Sequence, residues 1–289
     1  MLKKKFIYDK ANPKYLVKCN DKLIESFVID KNIRCIKAGA FEGCHLLKTL
    51  TIKTSNTIIE ENAFPESSIT TLNLVDTNNF LEISLEANGI NTNSLKVINH
   101  FQNSDNPSVF YSIPTKLLFS YSDDSISSPN LEEINVIKKT QCLGYTSRDG
   151  IYYAERHIDC AKIKRSLIFY PPAKKDKAFK VPDDIDSVEK YAFISNPYLE
   201  TIIFTKSLNF DNCIIKNCPN LKQIVIPNID FYFLENIENC PRLKTIYTNT
   251  YTNTDKEFYL KDVQIKNTKD YEFDNAKSFK EINNLYKER

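Results

Sequence analysis

The same four-residue pattern occurs three times in the C-terminal half of the chain, as Leu199-Glu200-Thr201-Ile202, Leu221-Lys222-Gln223-Ile224 and Leu243-Lys244-Thr245-Ile246. The leading Leu residues are 22 positions apart in both intervals. A fixed period in the twenties is typical of a solenoid, in which each repeat forms one coil and packs only against its neighbours. The spacing therefore predicts a β-rich solenoid whose stacked strands form a parallel sheet.

Two further repeat positions indicate what fills the inside of the coils. Phe41, Phe64 and Phe193 each follow an alanine at one position of the repeat, and we expect all three rings to be nearly fully buried. A second position, three residues further on, carries cysteine in three repeats. We expect these side chains to be buried free thiols rather than disulfides: Cys44, Cys218 and Cys240.

The composition argues against a nucleic-acid partner and against a membrane-spanning segment. Apolar residues make up 42% of the 289 positions, and 39 basic against 37 acidic side chains give a net charge of +2. So small a net charge provides no strong field for nucleic acid, and we expect no nucleic-acid partner. No apolar run approaches the roughly 20 residues of a membrane span. The compartment stays open: cytoplasmic if the chain is complete as given, cell surface or secreted if a leader was removed.

The repeat resembles a known family. Its pattern, with cysteine or asparagine ahead of the leading leucine as in Asn217-Cys218-Pro219-Asn220-Leu221, is similar to the BspA-like, or Treponema pallidum-type, leucine-rich repeats. Asp149-Gly150-Ile151-Tyr152-Tyr153, followed by Tyr170-Pro171 and Val181-Pro182, resembles the hairpin unit of that family. The resemblance implies a right-handed leucine-rich repeat coil with little helix. It also implies a role in surface adhesion or host contact.

The chain divides into three predicted regions. Residues 1–26 are interpreted as an N-terminal cap and residues 27–250 as the solenoid, with a loop insertion near 103–130 and a hairpin unit near 145–182. Residues 251–289 are interpreted as a C-terminal cap. The segment 274–286 has apolar residues at helical spacing, which predicts a short helix covering the open end of the solenoid.

No residue pattern points to catalysis. Cys44 and His45 are neighbours, so their side chains diverge on a strand, and His100 is expected at the surface. His157 and Cys160 have no further ligands at zinc spacing. We therefore expect no catalytic residue, no metal site and no cofactor, and we interpret the chain as a non-catalytic scaffold for protein–protein interaction. Two alternatives stay open: a structural, self-assembling protein, and an enzyme with an unrecognised site.

The outward side chains of the last three coils form the predicted partner-binding surface. Because side chains alternate along a strand, Ile202, Ile224 and Ile246 are expected to point inward. Their neighbours then point outward in two columns, Thr201, Gln223 and Thr245 in one and Ile203, Val225 and Tyr247 in the other. The second column is apolar here, whereas the same position is polar in earlier coils, at Thr51, Asn73 and Asn135. We expect an exposed apolar column that binds a protein partner of unknown identity, and a monomeric chain; the alternative is that these side chains only stabilise the sheet.

Overall fold

A computed structural model describes residues 5–53, 57–65, 67–75, 91–102, 128–138, 144–157, 162–229, 231–251, 263–268 and 271. The chain forms two compact units, each considered by itself below. The N-terminal unit comprises Met1–Lys164 and Phe169–Lys174, and the C-terminal unit comprises Arg165–Ile168 and Lys175–Arg289. The segment 274–286, where we expect a capping helix, lies outside the described residues, as does most of the loop near 103–130.

Short strands account for almost all of the regular structure among the described residues. The first twelve are β1 (Phe6–Tyr8), β2 (Tyr15–Cys19), β3 (Ser26–Ile29), β4 (Cys35–Ile36), β5 (Thr49–Ile52), β6 (Ile58–Ile59), β7 (Thr71–Val75), β8 (Val97–Gln102), β9 (Glu133–Lys138), β10 (Gly144–Arg148), β11 (Ile151–His157) and β12 (Ile163–Phe169). The next twelve are β13 (Ala178–Lys180), β14 (Ser187–Val188), β15 (Phe193–Ile194), β16 (Thr201–Ile203), β17 (Asn209–Phe210), β18 (Ile215–Lys216), β19 (Gln223–Val225), β20 (Asn228–Ile229), β21 (Ile237–Glu238), β22 (Thr245–Tyr247), β23 (Thr250–Tyr251) and β24 (Gln264–Lys266).

Helix is scarce, as the repeat pattern predicts. The described residues contain a 3-10 turn, Thr92–Ser94, and one turn of α-helix, α1 (Phe231–Leu234). Within this described part, no helix has both the length and the apolar character needed to cross a lipid bilayer.

The N-terminal unit is built on a five-stranded parallel sheet in the order β3-β5-β7-β8-β9. Its register aligns one inward residue from each coil, and all five are buried: Phe27, Leu50, Leu72, Ile98 and Ile134. A second sheet has the order β1-β2-β4-β6, in which only the β1–β2 pair is antiparallel. The coils therefore stack as a β-solenoid whose apolar interior lies between the two sheets.

One expectation for this unit is wrong. His100 was expected at the surface, but its side chain is 1% exposed. His100 lies within β8 at the repeat position of Ile52 and Leu74, where the in–out alternation of the strand points side chains inward. His100 consequently occupies an inward place, in register with Leu74 on one side and Val136 on the other.

A tight hairpin joins β10 to β11. Asp149 and Gly150 form the turn, with φ values of 50° and 75°. Two consecutive positive φ values are the mark of a type I′ turn, for which Asp-Gly is a preferred pair. A Cβ atom added to Gly150 would lie 3.0 Å from Cγ of Glu133, so β9 also leaves no room for a larger residue there.

The C-terminal unit repeats the solenoid plan. Its largest sheet is parallel, in the order β13-β16-β19-β22-β24. Parallel strands on the return side pair as β15-β18-β21 and as β20-β23, and β14 pairs with both β12 and β17. The predicted parallel stacking is confirmed in this unit, since Ile202, Ile224 and Ile246 align across β16, β19 and β22.

The three phenylalanines at one repeat position are buried, as predicted. Phe41 and Phe64 stack with their ring centroids 4.6 Å apart, and Phe41 also contacts Phe27 at 4.6 Å. Phe193 lies 5.9 Å from Phe179 and 6.4 Å from Phe204. Within each unit, rings of neighbouring coils thus pack together in the apolar interior.

The turn after this core has a left-handed residue in several coils. Gly43, Ser195, Asn217 and Asn239 occupy the same repeat position, with φ between 48° and 71°. Asn and Gly adopt this conformation most readily among the common residues. The following residue then faces the turn: the Asn196 Oδ1 accepts the amides of Tyr198 and Leu199, each at 2.8 Å. In other coils a cysteine takes that place.

Candidate protein-interaction surface

The inward side of the C-terminal sheet agrees with the sequence prediction. Ile202, Ile224 and Ile246 are fully buried. Parallel pairing places each directly against the next, so the spacing of 22 residues in the sequence becomes one strand separation, about 4.8 Å, in the fold.

The polar column lies on the opposite face of the same strands. Thr201, Gln223 and Thr245 are in register, and the Gln223 Nε2 donates to Oγ1 of Thr201 at 3.1 Å. Thr201 is buried, whereas Gln223 and Thr245 are half-buried. Gln223 and Thr201 therefore hold each other in place within this column.

The apolar column is not exposed, which corrects the expectation. Ile203 is 3% exposed and Val225 is 1% exposed, because the side chain of Tyr271 covers them. The Tyr271 ring also packs on Tyr247 in a T-shaped contact with centroids 4.9 Å apart. The chain turns back at Thr268, whose carbonyl accepts the Tyr271 amide at 3.2 Å. Only Tyr247 of this column is half-buried.

Lysines stand at both ends of the apolar column. Lys180 on β13 is in register with Ile203, and Lys266 on β24 is in register with Tyr247. Lys180 lies 3.7 Å from Asp183, while Lys266 is exposed. The column therefore reads Lys–Ile–Val–Tyr–Lys across five strands, with an apolar centre and basic ends.

Mixed charges border the polar column on its other side. The Lys222 Nζ lies 2.6 Å from Oε2 of Glu200, and this hydrogen bond lowers the pKa of the Glu200 carboxyl. The Lys177 ammonium lies 3.9 Å from the same carboxylate. The basic groups are thus partly neutralised on this side of the polar column.

The N-terminal unit carries a different side-chain row at the repeat position of Ile203. There, side chains donate hydrogen bonds along the stack: Asn73 to Thr51 at 3.0 Å, Asn99 to Asn73 at 2.9 Å and Asn135 to Asn99 at 3.1 Å. We call this row the amide ladder. The sequence indicated Thr51, Asn73 and Asn135, and the structure adds Asn99, which is in register with both asparagines.

The thiols are placed as packing groups, with one difference from the prediction. Cys44 and Cys218 are buried and free, whereas Cys240 is free but half-buried. Cys240 follows β21, the edge strand of its sheet, so no further described strand covers it. A hydrogen bond to Cys240, together with burial, raises the pKa of the Cys218 thiol, and the same bond lowers the pKa of Cys240.

No reaction centre emerges from the described side chains. Cys44 is buried and His45 is exposed, so the two diverge as predicted. Among the described residues, no three His, Cys, Asp or Glu side chains are grouped so that they could hold a metal ion.

Comparison with known proteins identifies the family to which the repeats belong. Residues 17–146 and 166–239 match the family model for the BspA type leucine rich repeat region, in six copies. Similar solved structures include a leucine rich cell surface protein from Faecalibacterium prausnitzii, with 14% identity, 86% of this chain and 93% of that chain covered, and a TM-score of 0.39. A leucine-rich repeat protein from Eubacterium ventriosum has 13% identity, with 83% of this chain and 75% of that chain covered and a TM-score of 0.38. The pneumococcal vaccine antigen PcpA has 14% identity, with 86% of this chain and 88% of that chain covered and a TM-score of 0.35. No curated protein sequence matches the chain. Because the family model matches more than half of its residues, the chain belongs to the BspA-type leucine-rich repeat family.

Proposed function

We propose that this protein is a non-catalytic scaffold that binds a protein partner through the outer face of its C-terminal sheet. The observation that carries the proposal is the ordered pair of columns on β16, β19 and β22, in which every coil repeats the same outward positions in register. Regular outward side chains on stacked strands give a rigid binding surface, which is the common use of solenoid repeats.

The proposed surface has a polar part and an apolar part. Thr201, Gln223 and Thr245 form the polar part, and Ile203, Val225 and Tyr247 form the apolar part that Tyr271 covers. Because Tyr271 covers Ile203 and Val225, the groups that a partner would contact are the half-buried Gln223, Thr245 and Tyr247.

Adhesion is the finer form of this proposal. It rests on what membership of the family implies, and it requires the protein to meet its partner at a cell surface. Labelling of intact cells with an antibody against the folded protein tests it, because an epitope reached only after permeabilisation would contradict adhesion and leave the scaffold role standing.

The test of the scaffold role is capture of a partner by the purified 289-residue protein, compared with the variant Gln223→Arg/Thr245→Arg. A large charged side chain at half-buried positions blocks the surface, so we expect the captured protein to be lost. Asn209→Arg is the matched control, because Asn209 is exposed on β17, in a different sheet. Both variants must keep the wild-type circular dichroism spectrum. Equal capture by all three proteins would place the binding surface elsewhere.

A further inference from the structure

We propose that the neighbouring thiols of Cys218 and Cys240 form a modification site, at which a small disulfide compound converts the pair into a disulfide bond between two successive coils. Both cysteines are free thiols in the structure. The bond would tie the coil that contains β22 to the coil that contains β19. This reactivity does not depend on whether the outer face of the C-terminal sheet binds a protein partner.

The register of the C-terminal unit brings the two cysteines together. β18 and β21 are parallel, with Lys216 paired to Glu238, and each cysteine comes two residues after its member of this pair. Asn217 and Asn239, which precede the cysteines, have φ values of 54° and 48°, so the two turns follow the same path. The Asn239 Nδ2 donates to Oδ1 of Asn217 at 2.7 Å, which holds one turn against the other.

The separation of the two coils suits a disulfide. Parallel strands lie about 4.8 Å apart. The Cα atoms of disulfide-bonded cysteines lie roughly 4.4–6.8 Å apart. A hydrogen bond already links the thiols of Cys218 and Cys240. Joining the two sulfur atoms therefore requires rotation of side chains rather than a new path for the backbone.

Cys240 is the member of the pair that a dissolved compound reaches first. Its side chain is half-buried, and the adjacent Asn239 and Pro241 are exposed. Cys218, by contrast, is fully buried. The Cys240 sulfur accepts hydrogen bonds from the thiol and the backbone amide of Cys218, and these bonds lower the pKa of Cys240. Because the thiolate is the reactive form in disulfide exchange, Cys240 is the attacking group.

The reaction consists of two exchange steps. Cys240 loses its proton to solvent and attacks one sulfur of the compound, which forms a mixed disulfide and releases a thiolate that takes up a proton. The Cys218 thiol then loses its proton and attacks the Cys240 sulfur, which releases the second half of the compound as a thiol. Two protein thiols are thereby oxidised, and one small disulfide is reduced to two thiols.

A second pair of thiols, in the N-terminal unit, provides a comparison within the same chain. The sulfur atoms of Cys19 and Cys44 both approach the carbonyl oxygen of Asp21, at 3.4 and 3.8 Å. Both cysteines are buried, and the Lys22 Nζ lies 3.9 Å from the Cys44 sulfur. Burial raises the pKa of Cys44 to about 11. We therefore expect this pair to stay reduced under conditions that oxidise Cys218 and Cys240.

The experiment exposes the native protein to glutathione disulfide. The 289-residue protein is first reduced and freed of reductant, and after the reaction its remaining thiols are blocked with N-ethylmaleimide in acidic urea. Tryptic peptides are then identified by mass spectrometry. Cys218 and Cys240 fall in different peptides, 217–222 and 223–242, so their cross-link is detected directly.

We expect the cross-linked peptide pair to form in the wild-type protein and to disappear on treatment with dithiothreitol. It should form about tenfold or more faster than any product at Cys19 or Cys44, because the higher pKa of Cys44 leaves a smaller fraction of thiolate. A wild-type protein that shows no Cys218–Cys240 cross-link, or keeps glutathione on Cys240, would overturn the proposal. Equal oxidation of Cys19 and Cys44 would overturn it as well.

Two variants separate the two steps. In Cys218→Ser the mixed disulfide has no thiol to attack it, so we expect glutathione to remain on Cys240. In Cys240→Ser the remaining Cys218 is buried, and we expect it to stay unmodified. The reverse pattern would contradict the roles assigned to the two cysteines. Both variants must keep the wild-type circular dichroism spectrum, and because the cross-link is measured in the wild-type protein, a variant that fails to fold does not remove the test.

Discussion

The aromatic core of the C-terminal unit gives the sharpest prediction of stability, through the change Phe193→Ala. The Phe193 side chain is fully buried and has two ring neighbours, Phe179 at 5.9 Å and Phe204 at 6.4 Å. Truncating a buried phenylalanine typically costs about 3–5 kcal/mol, from lost transfer free energy and the cavity left behind. The loss of two aromatic pairs, each contributing about 0.5–1.5 kcal/mol beyond area burial, places this site in the upper half of that range.

Urea unfolding followed by circular dichroism measures the effect. With a slope of roughly 2–3 kcal/mol per molar urea, a loss of about 4 kcal/mol lowers the midpoint by about 1.5–2 M. Tyr198→Ala is the matched control: it removes an aromatic ring in the same coil, but this ring is 40% exposed, so we expect a change within about 0.5 kcal/mol. A loss below about 1 kcal/mol for Phe193→Ala would refute the assignment of this ring to the core of the coil.

Four other predictions follow from the described contacts. Asn99→Ala breaks two rungs of the amide ladder and should lower the free energy of unfolding by about 1–2 kcal/mol in the same urea assay; an unchanged midpoint would show that the rungs do not contribute. In the native protein, iodoacetamide should alkylate Cys240 before Cys213. The reason is that a hydrogen bond from a neighbouring thiol lowers the pKa of Cys240, while burial raises the pKa of Cys213 to about 12. Peptide mass spectrometry measures the order of labelling, and the reverse order would contradict this prediction. The hydrogen bond from Lys37 lowers the pKa of the Glu60 carboxyl in the folded protein, so the charged carboxylate stabilises the fold. Glu60→Gln should therefore lower the free energy of unfolding at pH values above 4.5, the ordinary pKa of Glu, and this effect should vanish as the pH falls below it. An effect of the variant that persists in acid would contradict this assignment. Sedimentation equilibrium should show a monomer, and mass that grows with concentration would favour the self-assembly alternative.

The inward-facing residues could be predicted from the sequence because they recur at a short, regular interval. Ile202, Ile224 and Ile246 must each fill the same slot of successive coils, so the chain repeats an apolar residue every 22 positions. Because side chains alternate along a strand, the neighbours of each inward residue are then predicted to point outward. His100 follows the same logic, since it lies at the repeat position of Ile52 and Leu74, but a histidine there does not match the apolar residue that identifies the position in other coils.

The cover over the outer face could not be predicted in this way. Whether Ile203 and Val225 meet water depends on Tyr271, which stands outside the repeat and after the last strand of the sheet. The repeat period predicts which way a side chain points within its own coil. It does not predict whether a residue from outside the repeat covers that side chain. Tyr271 has no counterpart in the repeat, so no spacing in the sequence indicates where its ring packs.

The half-exposure of Cys240 has a related cause. Cys218 and Cys240 hold the same repeat position, and the template treats them alike. Their burial differs because β18 has a strand on each side while β21 is the edge of its sheet. End effects of this kind depend on where stacking stops, which the repeat itself does not encode.

The short strands of the C-terminal unit also set how it responds to mechanical load. Each coil is attached to the next by strands of only two or three residues on each side, as in the pairs β16–β19 and β15–β18. Tension on the C-terminal end therefore acts on a few hydrogen bonds at a time, and coils detach singly because each contacts only its neighbours. Every detachment of a 22-residue coil lets out roughly 75 Å of extended chain, so a pulling experiment would record evenly spaced ruptures rather than one large extension.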